Sequence, residues 1–203
     1  MDVSKRQSII NAAMREFRYG LKKASTDNIV REAGISKGLL FHYFDTKERL
    51  GKYLIDYALD IMQNEYFNVL NTGRQNILDT FKQIALLKKG IAEKHPYIFD
   101  FLFGMEAHTS DNPSAGKLAL YNQKNQEIME RLYGQRGKLL FRQGIDHKKA
   151  INIIYWTVDG LVKSAITHER DGKINNDFLE RLEEYLDIFR KCLYKNEEQE
   201  FIK

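Results

Sequence analysis

The residues able to do chemistry in this chain do not assemble into a catalytic pattern. No His-Glu-x-x-His pair, no second cysteine beside Cys192, no phosphate-cradling glycine loop and no Ser, His and Asp set at a telling spacing occurs. Asp100, Glu106 and Asp159 can meet only through a fold that sequence does not reveal. His95, His108, His147 and His168 fall at helix ends or in loops without metal-ligand spacing, so catalytic residues, metal and cofactor are all expected to be none. What stands out is the stretch from Ser25 to Lys47. There Lys37, Gly38, Leu39, Phe41, His42 and Tyr43 are left outside any apolar stripe, beside Lys47. Large apolar and aromatic groups exposed next to ammonium groups call for a partner surface, which makes this the chemistry of recognition rather than of bond-making.

The charge distribution indicates which partner. Residues 1 to 50 hold 10 Lys and Arg against 6 Asp and Glu, whereas residues 51 to 203 hold 22 of each, so the whole net charge of +4 lies in the first quarter. That asymmetry points to a polyanion for the N-terminal segment and to no electrostatic preference for the rest. No run approaches the roughly 18 uncharged apolar residues of a membrane span. The start Met1-Asp2-Val3-Ser4-Lys5-Arg6 leads into an amphipathic segment rather than a secretory signal, so a cytoplasmic protein is expected. Cys192, amid Leu186, Phe189 and Leu193, reads as a small buried apolar residue.

The elements that must position these residues are helices. Only two prolines occur and no long alternation of apolar and polar residues, which predicts an all-α fold of about nine helices. Ile9, Ile10, Ala13, Met14 and Phe17 mark a first helix from about Ser4 to Tyr19, stopped by Gly20. Ser25 caps a second to Ala33, ended by Gly34; Ser36 caps a third over Lys37 to Phe44; Thr46 caps a fourth. Further helices are expected over Arg74 to Ala92, from Pro96 through Met105, over Lys117 to Tyr133 and Arg136 to Gln143, from Asp146 to Glu169, and from a capping box at Asp177 and Glu180 to Lys195. Loops fall at His108 to Gly116 and Arg170 to Asn176, and the tail frays. The second and third helices, joined by Ala33-Gly34-Ile35-Ser36, have helix-turn-helix spacing. Ile29, Val30, Ala33, Ile35, Leu40 and Phe44 lock against Ile10, Ala13, Met14 and Phe17 and turn the outer face toward a DNA major groove.

The run Ala33-Gly34-Ile35-Ser36-Lys37-Gly38-Leu39-Leu40-Phe41-His42-Tyr43-Phe44-Asp45-Thr46-Lys47-Glu48-Arg49-Leu50 resembles the DNA-binding signature of the tetracycline-repressor (TetR) family of bacterial regulators. The resemblance covers the first 50 or so residues. It implies a three-helix DNA-binding domain over residues 1–48 and a helical ligand-sensing and dimerisation domain over 49–203. It further implies base-edge or phosphate contacts by Lys37, His42 and Tyr43, a phosphate grip by Lys47, and hydrogen bonds to phosphate from Ser25 and Thr26. Ser36, Gly38, Leu39 and Phe41 complete the expected DNA-facing set. Two positions depart from the family's usual pattern: Leu39 stands where Thr is common and Phe41 where Tyr is common, replacing hydroxyl contacts by apolar ones suited to a thymine methyl. Asp27 is unwelcome near phosphate, although it stabilises its own helix.

The same resemblance implies a homodimer on a double-stranded, pseudopalindromic operator, acting as a repressor released by a small hydrophobic effector. Two stripes have the spacing for a four-helix bundle across a two-fold axis: Ile151, Ile154, Val158, Leu161 and Ala165, and Leu179, Leu182, Leu186, Phe189 and Leu193. Periodicity equally allows them to bury against their own chain. For the effector, Phe99, Phe101, Leu102, Phe103 and Met105 with Tyr121, Met129, Tyr155 and Trp156 offer an aromatic wall, of which Phe99, Phe103, Tyr121, Met129 and Trp156 are the candidate ligand residues. Plain core is the other reading of the same residues. The rivals to the whole assignment are a helical regulator or adaptor without small-molecule control and an all-helical enzyme.

Overall fold

The computed structural model describes residues 3–70, 76–108, 114–134, 141–169 and 177–195. Among them are nine α-helices and no strand: α1 (Val3–Phe17), α2 (Thr26–Ala33), α3 (Lys37–Phe44), α4 (Lys47–Ile61), α5 (Ile77–Lys94), α6 (Ile98–Ala107), α7 (Ala115–Tyr133), α8 (His147–Glu169) and α9 (Phe178–Leu193). A π-helical turn, Met62–Phe67, continues α4. Nothing in its sequence distinguishes that turn from ordinary helix. Most of the expected helix over 136–143 and the expected loops and tail lie largely outside the described residues. The described end of that helix is not helical: Phe141 forms an antiparallel bridge with Tyr194, and the Arg142 N–H donates to the Leu193 carbonyl at 2.9 Å.

The chain divides into two compact units. The first comprises residues 1–67 and 91–123. Its centre is α1, whose Ile9, Ile10, Ala13, Met14 and Phe17 are all buried as their helical spacing requires. Leu50, Leu54, Ile55 and Ala58 bury the matching face of α4. α6 comes so close to the end of α1 that a Cβ built on Gly104 would lie 2.0 Å from the Arg18 carbonyl oxygen; only glycine permits this approach. α6 starts at Ile98, two residues beyond Pro96, and Tyr97 at its N-cap makes no side-chain cap bond.

The second unit comprises residues 68–90 and 124–203. Here Asp146 caps α8 as expected, accepting from the Lys148 and Lys149 N–H groups at 3.0 and 3.2 Å. Asp177 makes no side-chain cap bond, so the expected capping box at the start of α9 is not formed. The two apolar stripes expected at a dimer seam fill this unit's own core. Ile151, Ile154, Val158, Leu161, Ala165, Leu182, Leu186 and Phe189 are buried without any partner chain, Leu193 is half-buried, and only Leu179 stands out. The reason is that α8 packs on α9 within the chain, and a 3.6-residue period does not specify whose surface a stripe meets. On α8 and α9 the exposed apolar groups are instead Ile153 and Trp156, and Leu179, Tyr185 and Ile188. Cys192 is exposed too, against expectation: it lies one turn beyond exposed Ile188, at the edge of the buried stripe of α9 rather than within it. Burial alone would raise the Asp159 carboxyl, but Lys88 at 2.9 Å and Lys163 at 2.8 Å together hold it below the usual carboxylate range.

Candidate nucleic-acid interface

Each helix of the DNA-facing module is set by its own cap. The Ser25 hydroxyl accepts from the Asn28 N–H at 3.3 Å, the Ser36 hydroxyl from the Leu39 N–H at 3.2 Å, and the Thr46 hydroxyl from the Arg49 N–H at 3.1 Å. Between α2 and α3, Gly34 takes φ +65°, and the Ile35 N–H returns to the Val30 carbonyl at 3.0 Å, so the chain reverses within a few residues. α3 ends at Asp45, the one non-glycine residue with positive φ (62°) among those described; with ψ −56° it is the centre of a γ-turn that the Thr46 N–H closes by donating to the Phe44 carbonyl at 2.6 Å. Ile29 and Leu40 supply the buried part of the lock, while Val30, Ala33, Ile35 and Phe44 are half-buried at its edge.

Of the expected site residues, Ser36, Lys37, Gly38, His42 and Tyr43 are exposed, and Ser25, Thr26, Leu39, Phe41 and Lys47 are half-buried. Seven of them line two grooves that α3 contributes to, while Ser36, Gly38 and Leu39 line neither. One, of about 550 Å³, brings Ser25, Thr26 and Asp27 at the start of α2 together with Lys37 and Phe41 of α3 and Lys47 of α4. The other, of about 520 Å³, joins His42, Tyr43 and Phe44 to Arg49, Tyr53 and Arg6. In the second groove the Arg6 guanidinium donates to the Tyr53 hydroxyl through Nε at 3.0 Å and Nη2 at 2.5 Å, which raises the Arg6 pKa further above its ordinary value. The His42 and Tyr43 rings meet edge-on at 5.3 Å between centroids.

Three of these partnerships are invisible in the sequence. Lys47 is not a loose phosphate-seeking side chain: its ammonium donates to the Lys22 and Ala24 carbonyls, both at 3.3 Å, and ties the α1–α2 connection to α4. Lys37 is paired with Asp27 at 2.8 Å. Tyr53 fixes Arg6 across 47 positions of sequence, a separation no local pattern reports. Behind this interface Tyr53 stacks on Tyr57 at 6.2 Å, and the Tyr57 hydroxyl lies 3.3 Å from His95 Nδ1. Burial pushes the His95 imidazole below its ordinary pKa, against the opposing pull of Glu65, 3.7 Å from Nε2. Lys94, bonded to Glu65 at 2.7 Å, in turn lowers the Glu65 carboxyl.

The candidate effector residues are scattered. In the first unit Phe99 is half-buried and Tyr121 stacks edge-on against Phe67 at 5.7 Å, but Phe103 is 70% exposed. In the second unit Met129 is half-buried and Trp156 is 65% exposed. Phe103 and Trp156 therefore do not line an enclosed wall within their units.

A capped, glycine-turned helix pair presenting Lys37, His42 and Tyr43 on its outer face defines a helix-turn-helix DNA-binding protein. Residues 9–54 match the family model of the bacterial regulatory proteins of the tetR family, which marks the N-terminal helices as a DNA-binding segment of that kind. Over 150 residues it is 24% identical to the nucleoid occlusion factor SlmA of Yersinia enterocolitica serotype O:8 / biotype 1B, covering 73% of this chain and 75% of that protein. In fold it is similar to the ketosteroid transcriptional regulator KstR2 of Mycobacterium tuberculosis, with TM-score 0.70, 18% identity and coverage of 97% and 98% of the two chains. It is also similar to a TetR family transcriptional regulator from Chloroflexus aurantiacus J-10-FL, with TM-score 0.68, 14% identity and coverage of 97% and 96%. No helix of the described residues is long and apolar enough to cross a membrane.

Proposed function

We propose that the protein is a cytoplasmic, homodimeric repressor that grips a pseudopalindromic operator through residues 1–48 of each copy and is released by a small hydrophobic effector bound within residues 49–203. The observation that carries the reading is the outer face of α3, which leaves Lys37, Gly38, His42 and Tyr43 exposed, with Ser25, Thr26, Lys47 and Arg6 edging the two grooves. Leu39 and Phe41 supply apolar contact for a thymine methyl. Two such faces separated by roughly one helical turn of DNA, about 34–36 Å, would read two half-sites.

Dimerisation is supported by Ile153 and Trp156 on α8 and Leu179 and Ile188 on α9, apolar side chains that a lone protomer leaves in water. This seam replaces the buried stripes as the proposed interface. For the effector, the wall narrows to Phe99 and Tyr121 in the first unit, backed by buried Phe101, Leu102 and Met105. An effector shifts the equilibrium between operator-matched and mismatched arrangements only by binding them unequally. The similarity to nucleoid occlusion factors favours a second reading, a DNA-bound factor without small-molecule control. Selecting bound sequences from random duplex DNA, then titrating hydrophobic small molecules against the complex, tests all parts. An inverted repeat is expected. Recovery of no sequence preference overturns the operator reading, and an affinity unmoved by any effector leaves the second reading in place.

A further inference from the structure

The groove at the start of α2 is not built as a simple phosphate trap. Its lining carries three carboxylates, Asp27, Asp45 and Glu48, against two ammonium groups, Lys37 and Lys47. Both ammonium groups are already engaged inside the protein. Lys47 is held by the Lys22 and Ala24 carbonyls, and Lys37 by Asp27 at 2.8 Å. The Lys37–Asp27 pair is open to water, with the two side chains 52% and 74% exposed, so it is weak enough to exchange partners. It bridges the first turn of α2 to the first residue of α3, the point at which the recognition helix enters its groove.

We propose that Asp27 is a specificity-determining residue that acts by competing with DNA phosphate for Lys37. The proposal rests on the DNA-binding reading above. Non-specific binding is driven almost entirely by phosphate neutralisation. A lysine already neutralised by its own carboxylate gains little from a phosphate, and the carboxylate itself repels the backbone. A guanine edge in the major groove offers Lys37 two acceptors, N7 and O6, at a fixed position. Only where such an edge is present does leaving Asp27 become favourable. Asp27 therefore lowers affinity for all duplexes but lowers it most for the wrong ones, which widens the ratio between operator and random DNA. The Asn28 N–H bond to the Ser25 hydroxyl caps α2 independently of Asp27, so the carboxylate can be removed without removing the cap.

The test compares wild type, Asp27→Asn, Lys37→Met and the double variant on two probes: a random-sequence duplex and the duplex enriched by selection, each across a salt series. Asp27→Asn is expected to tighten random-duplex binding about fivefold or more, and to steepen its salt slope by about 0.9 as one more phosphate is neutralised. Operator binding should change less, and the gain should vanish when Lys37→Met is added. A melting curve for each variant separates these effects from loss of fold, which moves neither the salt slope nor the ratio of the two affinities. Equal changes on both duplexes, no change on either, or a gain that persists without Lys37 each overturns the competition. Wild type binding neither duplex overturns the DNA-binding reading itself, and this proposal with it.

Discussion

At the scale of single residues, the cations of the interface have internal partners before they meet DNA. Lys47 holds backbone carbonyls of the α1–α2 connection, Lys37 holds Asp27, and Arg6 is steadied by Tyr53. Lys37→Ala and Lys47→Ala are each expected to weaken operator binding in gel shifts over a salt series; Lys47→Ala should lower the salt slope by about 0.9 for the phosphate no longer neutralised, whereas Lys37→Ala, which gives up a base edge, should leave the slope nearly unchanged. Binding unchanged in both variants would remove these lysines from the site. Lys47→Ala should also lower the melting temperature, since two carbonyls lose their donor, whereas Lys37→Ala should not. His95 gives a separate prediction. Burial favours its neutral form in the folded protein, so below its ordinary value of about 6.5 the unfolded chain takes up the proton first and stability falls as pH drops through that window. Melting temperatures recorded between about pH 7.5 and 5.5 should decline toward acid, with a shallower slope in His95→Gln. A flat wild-type profile would falsify this account of His95.

At the scale of elements, the helix pair around Gly34 depends on caps that each serve one helix. Ser36→Ala removes the bond that starts α3 and is expected to cost about 1 kcal/mol in denaturant unfolding, together with weaker DNA binding as the first turn carrying Lys37 frays. Gly104→Ala tests how two helices approach each other. Its methyl would meet the Arg18 carbonyl, so α6 must draw back from α1 at a cost of about 1–3 kcal/mol, measurable in the same experiment. These two positions also mark what sequence can and cannot convey. Ser25, Ser36 and Thr46 are legible because a cap is local: the hydroxyl and the N–H it accepts from lie three residues apart. The buried face of α1 is legible for the same reason, through its period. Gly104, Tyr53 and the partner of Lys47 are not, because each acts on residues 86, 47 and 23 to 25 positions away. The π-helical turn at Met62–Phe67 and the missing cap bond at Asp177 likewise carry no distinguishing residue pattern. The stripes of α8 and α9 show an intermediate case: their apolar character is readable, but the surface that covers them is not, since the period is satisfied equally by the chain itself and by a second copy.

At the scale of the whole molecule, the charge split and the exposed apolar groups support the proposed division of surfaces between DNA and a second copy. The positive excess is confined to residues 1–50, and the neutral balance of residues 51–203 leaves no strong field to oppose the approach of a second copy there. Trp156→Glu combined with Ile188→Glu is therefore expected to yield a folded monomer by sedimentation equilibrium, with operator affinity greatly reduced because binding at one half-site no longer recruits the other. A variant that stays dimeric would move the seam elsewhere. Trp156 has one more consequence. It is the only tryptophan in the chain, and it stands 65% in water on α8. The indole is thus an intrinsic fluorophore sited on the proposed seam and in a different unit from the recognition helix. Dilution of unlabelled protein should shift its emission to the red as copies separate, giving an optical measure of self-association that titration with DNA can then be set against.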